Sequence, residues 1–548
     1  MSITVTRIPA VDGASHILSE DALAFVERLH HRFVQTRDEL MADRQSASEI
    51  ASATGKLGFL ESTTEIRAGH WSVAEIPDAL RDRRVEITGP AGPTDMAVSA
   101  LRSGARIWLA DLEDAITPSW HNLIDALVNL TLAAGHNPFG YVPLGKEEII
   151  LSEEAGPTIV VRPRGWHLPE NHVLIDGGPA VAALVDFGLH FFHNAAHLAE
   201  VELGPFYYLP KIESYLEARL WNDVFTFAQN DLGVAHGTVR ATVLIETIPA
   251  GFQMEEILYE LRDHVSALNA GRWDYLFSMI KYFRQTGKQF VIPDRTAVAM
   301  TAPFMRAYTE LLVRTCHKRG AMAIGGMAAL VPNREDPDVT ASAVDKVRSD
   351  KTREATDGFD GSWVAHPDLV QTCREVFDSV IGQEPNQLAR RREDVRVTAE
   401  QLLDVASTPG SVTEVGVRDN LYVAVAYTAE WLAGNGAVVI RNLFEDIATV
   451  EISRSQVWQQ VRNEVIASDT GNVITEELVQ QLLDEVTEQL RGEIADGERF
   501  DRYYRPAAEL IGRITNGREE DFVEFITTPG YELLTSIGFR AGDNQFSS

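Results

Sequence analysis

The strongest constraint in this sequence is a series of short, almost wholly apolar runs separated by longer helical or irregular segments. The runs are RVEIT (84–88), ARIWLA (105–110), TIVVR (158–162), FYYLP (206–210), ATVLIE (241–246), YLFSM (275–279), AMAIG (321–325) and GSWVA (361–365). Most of these runs are continuous rather than alternating, as strands of a parallel sheet covered by helices are. Eight repeats of strand and crossover close such a sheet into a barrel. The chain is therefore expected to be an α/β protein built on a (β/α)8 TIM barrel.

A second regularity points to chemistry. Several runs stop at or beside an ionisable residue: Asp111 with Glu113 and Asp114, then Arg162, Lys211 and Glu246, while Asp274 opens YLFSM. The C-terminal ends of barrel strands share one face, so these residues, far apart in sequence, are expected to meet at one mouth. A lone polar residue at a strand end is ordinarily just solvated. Acidic and basic groups at successive ends together suggest a site.

The flanks differ in texture. Leu23, Phe25, Val26, Leu29 and Phe33 line one face of a helix expected over about 18–56, with Ser19 or Asp21 at its start. Beyond Pro385 and the basic cluster Arg390, Arg391 and Arg392, long helical patterns cover Val412–Leu432, Thr449–Ala467 and Thr475–Ile494. The stretch from Leu421 to Ile440 carries Glu430 and Asn435, and suits a buried helix running into an extended segment rather than a membrane span. The organisation expected is an N-terminal helical clasp (1–83), a TIM-barrel catalytic domain (84–380) and a C-terminal all-helical domain (381–548).

Charge removes some classes of partner. With 49 Lys+Arg against 80 Asp+Glu, a net charge of −31 argues against nucleic acid and anionic membranes. Any anionic substrate must then find a locally basic pocket. Two cysteines, Cys316 and Cys373, with no CxxC pair, fit a reducing compartment and exclude a disulfide framework. The N-terminus lacks a basic-then-apolar signal pattern and the last residues, FSS, are not an SKL-type address, so the expected location is bacterial cytoplasm.

Each candidate residue admits a plain reading beside the chemical one. Glu246 and Asp274, hard oxygen donors with no His or Cys beside them, suit Mg2+, or each simply pairs with a cation such as Arg240 or Arg272. Arg162 ends TIVVR with Pro163 keeping it extended. It can hold a carboxylate or a developing oxyanion, or form a structural ion pair with Asp111 or Glu113. His167 and Trp166 read as structural. Asp446, in VVIRNLFEDIATVEISR, stands where a carboxylate either reaches over the mouth as a base or sits at a helix N-terminus for the sake of the dipole.

Ten segments decide between these alternatives. They are RDRRVEITGP (81–90), ADLEDAITPSWHN (110–122), VVRPRGWHLPENHV (160–173), DFGLHFFHNA (186–195), YLPKIESYLEARLWNDVF (208–225), ATVLIETI (241–248), GRWDYLFSMIKYFR (271–284), GGMAAL (325–330), WVAHPDL (363–369) and NLFEDIATVEISRSQVWQ (442–458). In content and order they resemble the malate synthase family, most closely its shorter form A, from about residue 66 onwards. Leu112, Ala115, Ile447 and Val450 depart from the usual residues of the family's turns without removing a charged group. The resemblance implies a barrel flanked by a clasp and a C-terminal plug. It also implies an acyltransferase that condenses acetyl-CoA with glyoxylate and hydrolyses the thioester, giving malate and CoA in the glyoxylate bypass and linking to the tricarboxylic acid cycle. It implies Asp446 as the base, Arg162 as the enolate-stabilising cation, Glu246 and Asp274 as Mg2+ ligands, and Glu113 near the metal's water shell. Backbone N–H groups around Trp273 and Asp274 would bind the glyoxylate carboxylate. The resemblance covers both monomeric and assembled enzymes. Arg390–Arg392 either help hold the CoA phosphates or form a solvated run on a linker. The rivals are a citrate-lyase-like cleaver of malyl-CoA-type thioesters and a catalytically silent binding protein on the same fold.

Overall fold

The computed structural model describes residues 2–150, 156–333 and 336–537. The terminal Ser547 and Ser548, read above for a targeting signal, lie outside the described residues. Eight strands form a closed barrel: β1 (Val85–Pro90), β2 (Ile107–Asp111), β3 (Thr158–Arg162), β4 (Phe206–Leu209), β5 (Arg240–Ile245), β6 (Val265–Ala270), β7 (Met322–Ala328) and β8 (Gly361–Val364). Neighbours pair in parallel in chain order, and β8 closes onto β1. The (β/α)8 expectation is met, as the unbroken apolar runs required.

One run is reassigned. YLFSM is not a strand: it lies inside helix Trp273–Phe283, and the sixth strand is VSALNA, just upstream. Both segments are fully buried, so a continuous apolar run could not tell strand from helix. The true strand hid behind two polar residues. Ser266 donates to the Ala241 carbonyl (3.1 Å) and Asn269 to that of Gly325 (3.1 Å), each tying β6 to a neighbouring strand.

The end of the barrel where the strands begin is filled. Arg83 donates to Glu86 (2.6 Å), Thr242 (2.7 Å) and Tyr208 (2.8 Å), all buried, and Trp363 donates to Glu86 (3.1 Å). Satisfied on all sides, this charged plug leaves the opposite end as the mouth.

Outside the barrel, helix α1 (Glu20–Thr54) buries Phe25, Val26, Leu29 and Phe33 against the barrel's helical coat, Phe25 stacking on Phe191 at 6.2 Å between ring centres. The helix that carries Asp274 is α2 (Trp273–Phe283), and α3 (Pro337–Asp357) descends from the mouth to the start of β8. The C-terminal part is built on α4 (Glu414–Leu432), α5 (Ile447–Arg462) and α6 (Glu476–Glu493) around a core of its own that includes Val417, Leu421, Leu482 and Ile511. Thr475 caps α6 by accepting from the Leu478 amide (3.2 Å).

As the sequence suggested, α4 runs into an extended segment. It becomes a two-stranded antiparallel ribbon, β9 (Val438–Ile440) and β10 (Leu443–Glu445). Its two-residue turn, Arg441 and Asn442, has φ of 51° and 62°, the left-handed pair that a tight hairpin needs. The ribbon is laid on the barrel rim: Phe444 N–H donates to Ala329 (2.7 Å) and Val331 N–H to Asn442 (2.9 Å). No helix among the described residues is long and apolar enough to cross a membrane.

Candidate active site

The register of β2 and β3 sets Asp111 directly opposite Arg162. Asp111 accepts from Arg162 Nε (2.7 Å) and from the amides of Glu113 (2.8 Å) and Ala115 (2.7 Å). It therefore shapes the turn and fixes the guanidinium plane. Arg162 Nη1 then points at Asp114 Oδ2 (3.2 Å) and Glu113 Oε2 (3.7 Å). The structural ion pair weighed for Arg162 exists, and it aims the remaining donors into the mouth.

Asp114, Glu246 and Asp274 each present a carboxylate oxygen, and the three atoms lie within 4.8 Å of one another. Glu246 follows the last residue of β5. Asp274 comes from the first turn of α2, not from a strand as its place before YLFSM suggested. Neither uses the partner proposed as the plain alternative: Arg240 bonds the Asp263 carbonyl and Arg272 that of Val298. Glu246 instead accepts the Lys211 amide (2.7 Å). Lys211 Nζ lies 2.7 Å from Asp114, 3.2 Å from Glu113 and 3.4 Å from Asp274. Glu113 is packed behind Arg162 and Lys211, and of the two neighbours it is Asp114 that lines the cavity.

Asp446 arrives from the other side. It caps α5, its carboxylate accepting from the Ala448 amide (3.1 Å), and it also faces the cavity. The same carboxylate thus caps a helix and lines the mouth. Its position is tied to the barrel turn, because the Asp114 carbonyl accepts from Ile447 N–H (3.3 Å) and Tyr427 O–H (3.2 Å). A close backbone approach completes the joint: a Cβ on Gly436 would lie 2.3 Å from the Ile116 carbonyl carbon, so only glycine fits.

Between barrel and plug lies a cavity of about 440 Å³ whose wall includes Asp114, Arg162, Glu246, Trp273, Asp274 and Asp446. Four further cations line it, Arg272, Arg295, Lys346 and Arg353, against Asp350 and Glu445. Arg272 and Arg295 stack on the Trp273 ring at 4.2 and 5.4 Å. This basic wall is not legible in the sequence, since Lys346 and Arg353 sit in the charge-rich α3, where nothing distinguishes an inward cation from a solvated one. Arg390 and Arg392, the other basic candidates, lie at the opposite end of the barrel, as a linker run would. The Arg390 carbonyl accepts from His317 (2.6 Å) and Arg392 donates to the Asp357 carbonyl (2.6 Å), beside the start of β8 and opposite the mouth.

The electrostatics follow from burial and crowding. Burial, with Asp114 adding, raises Glu113 well above the usual carboxylate range. Asp274 is raised well above it by burial, with Glu246 and Asp114 adding, and Glu246 is raised by burial and Asp114. Asp114 is held low: burial opposes its charge, but Lys211 and Arg162 outweigh it. Burial and Asp114 push Asp446 up to about 7. Burial, with Arg295 and Arg353 adding, lowers Arg272 to about 10 despite Asp350. Asp274 Oδ1 and Arg272 Nε, both at the cavity, are buried without a hydrogen-bond partner, so each can take a polar ligand.

Clustered carboxylates, a fixed arginine and an aspartate from the C-terminal part converge at one barrel mouth, the kind of place where barrel enzymes carry their chemistry. Family models name the enzyme family. The chain matches "Malate synthase, N-terminal domain" over residues 5–65, "Malate synthase, TIM barrel domain" over 158–405 and "Malate synthase, C-terminal" over 411–534. A Streptomyces clavuligerus protein named malate synthase is 51% identical over 535 residues, covering 97% of this chain and 98% of its own. A Myxococcus xanthus malate synthase is 45% identical, covering 95% and 94%. Among solved structures, a Haloferax volcanii malate synthase pyruvate/acetyl-CoA ternary complex is 15% identical with a TM-score of 0.44, covering 78% of this chain and 98% of that one. The chain belongs to the malate synthase family, and its activity is that of an acyltransferase of this kind.

Proposed function

We propose that this mouth condenses acetyl-CoA with glyoxylate and hydrolyses the resulting thioester to malate and CoA, with Asp446 as base and Arg162 as oxyanion stabiliser. The observation that carries the reading is that Asp446, Arg162 and the carboxylate trio, brought by five separate elements, face one cavity.

The methyl group of acetyl-CoA is a weak carbon acid, so an aspartate removes its proton only if the enolate is stabilised as it forms. The high position of Asp446 makes it a stronger base than an exposed aspartate. Arg162 meets the developing enolate oxygen with donors that Asp111 leaves free and holds still. The first-turn amides of α2, at Trp273 and Asp274, have no partner within the helix and suit the glyoxylate carboxylate.

Asp114, Glu246 and Asp274 fit Mg2+: all are hard oxygen donors, close together, and Asp274 Oδ1 is unpaired. Bound there, the ion would polarise the aldehyde oxygen of glyoxylate. Glu113, from behind, would hold its water shell. Arg272, Arg295, Lys346 and Arg353 give the locally basic wall that an anionic CoA ester needs in a chain of net charge −31. The buried, free cysteines Cys316 and Cys373 suit a reducing cytoplasm, and the reaction suits a place in the glyoxylate bypass.

The test is to supply methyl-labelled acetyl-CoA with glyoxylate and Mg2+ and identify the labelled product. Labelled malate with free CoA is expected. Accumulated malyl-CoA, or cleavage of added malyl-CoA to glyoxylate, would move the citrate-lyase-like reading ahead.

A further inference from the structure

Lys211 has no role in the scheme above, yet its backbone is held in an unusual conformation. Its φ of 50° lies in the left-handed region that a lysine rarely adopts. The strained backbone is pinned on both sides: its amide donates to Glu246 Oε1 (2.7 Å), and its carbonyl accepts from Arg44 Nη2 (2.7 Å). Arg44 belongs to α1 and is itself fixed by Glu217 (2.6 Å). The clasp thus reaches through one buried arginine to the loop that carries Lys211. The Lys211 ammonium is buried and lies 2.7 Å from Asp114 and 3.4 Å from Asp274.

Those are two of the three carboxylates that fit a divalent cation. An ammonium and a metal ion seeking the same oxygens are electrostatic competitors. We infer that Lys211 is a positioning residue that sets the affinity of the carboxylate cluster for its cation: it holds Asp114 and Asp274 in register and weakens metal binding by sharing their charge. The inference rests on the metal reading of Asp114, Glu246 and Asp274. It gives the strained backbone a purpose, because a relaxed lysine could drift to Glu113 alone and leave the cluster to repel itself.

The test is Mg2+ and Mn2+ binding to the whole enzyme by calorimetry, with thermal melts at zero and saturating metal. Wild type, Lys211→Met and Lys211→Arg are compared. With one positive charge removed from beside two ligands, Lys211→Met is expected to bind Mg2+ on the order of tenfold tighter. Its melting temperature without metal should fall, and saturating Mg2+ should raise it by more than it raises the wild type. Lys211→Arg, which keeps the charge, should bind within about threefold of wild type, since electrostatics and not side-chain shape sets the effect. Unchanged or weaker binding in Lys211→Met would overturn the inference while leaving the metal site standing. If the wild type binds neither ion, the metal reading falls and the inference with it. Should Lys211→Met fail to fold, a wild-type structure with Mn2+ decides: Nζ withdrawn from Asp274 supports the competition, and a retained 3.4 Å contact overturns it.

Discussion

Replacing Asp446 by Asn is expected to abolish most turnover without harming the fold. The substitution keeps the volume, and its amide oxygen can still accept from the Ala448 N–H that the carboxylate holds at 3.1 Å. Asn is as good an N-cap as Asp, so α5 keeps its start. The carboxylate is not an asset to stability: burial and Asp114 disfavour its charge, which is why it titrates near 7. A neutral amide should leave the melting temperature unchanged or slightly raised. Catalysis is another matter. A general base contributes about 10²- to 10⁴-fold, which at about 1.4 kcal/mol per decade is roughly 3–5 kcal/mol of barrier. The assay is kcat and KM from thiol release, with circular-dichroism melts of both proteins. The loss should fall on kcat, with KM for acetyl-CoA little changed, because the base acts on a methyl group and not on the CoA tail. More than about a tenth of wild-type kcat in the variant, on the scale of base contributions, would refute the reasoning. So would a matching loss of stability.

Other expectations follow from the same geometry. The base must be ionised to act, so kcat should fall as pH drops. Its acid limb is expected between the ordinary aspartate range and about 7, because a bound cation would pull Asp446 down from the value set by burial. A pH–rate profile with no acid limb from about pH 8 down to about 3, below the ordinary aspartate range, would contradict the assignment. Arg162→Lys keeps a charge but loses the fork on Asp111. It should cut kcat by about 10²- to 10³-fold, the scale of a lost oxyanion donor, and steady-state kinetics beside wild type checks it. KM for acetyl-CoA should rise with ionic strength more steeply than KM for glyoxylate, since the basic wall of Arg272, Arg295, Lys346 and Arg353 works against a net charge of −31.

Much of this molecule was legible in its sequence, for identifiable reasons. Seven of the eight strands were marked by β-rich runs because burial on both faces leaves few polar positions. The eighth, VSALNA, needed buried Ser266 and Asn269 to bond its neighbours, and those polar residues hid it. That one error moved Asp274 from a helix start to a strand start. Arg162 and Glu246 were legible because strand ends converge, and Asp446 because the resemblance singled it out from a residue that also serves as a plain helix cap. Asp114 was not singled out beside Glu113, since adjacent carboxylates differ only in which way the turn aims them, and Asp111 sets that through two backbone amides. The basic wall was illegible because it is assembled by folding: Arg272 precedes α2, Arg295 follows it, and Lys346 and Arg353 come from α3.

The central claim, condensation at this one mouth, is tested most directly by release of CoA thiol from acetyl-CoA, with glyoxylate and Mg2+ added separately and together. Release that needs both additions, with malate appearing in equal amount, is the expected result. Thiol released without glyoxylate would make the protein a thioesterase, and no release under any condition would contradict the account.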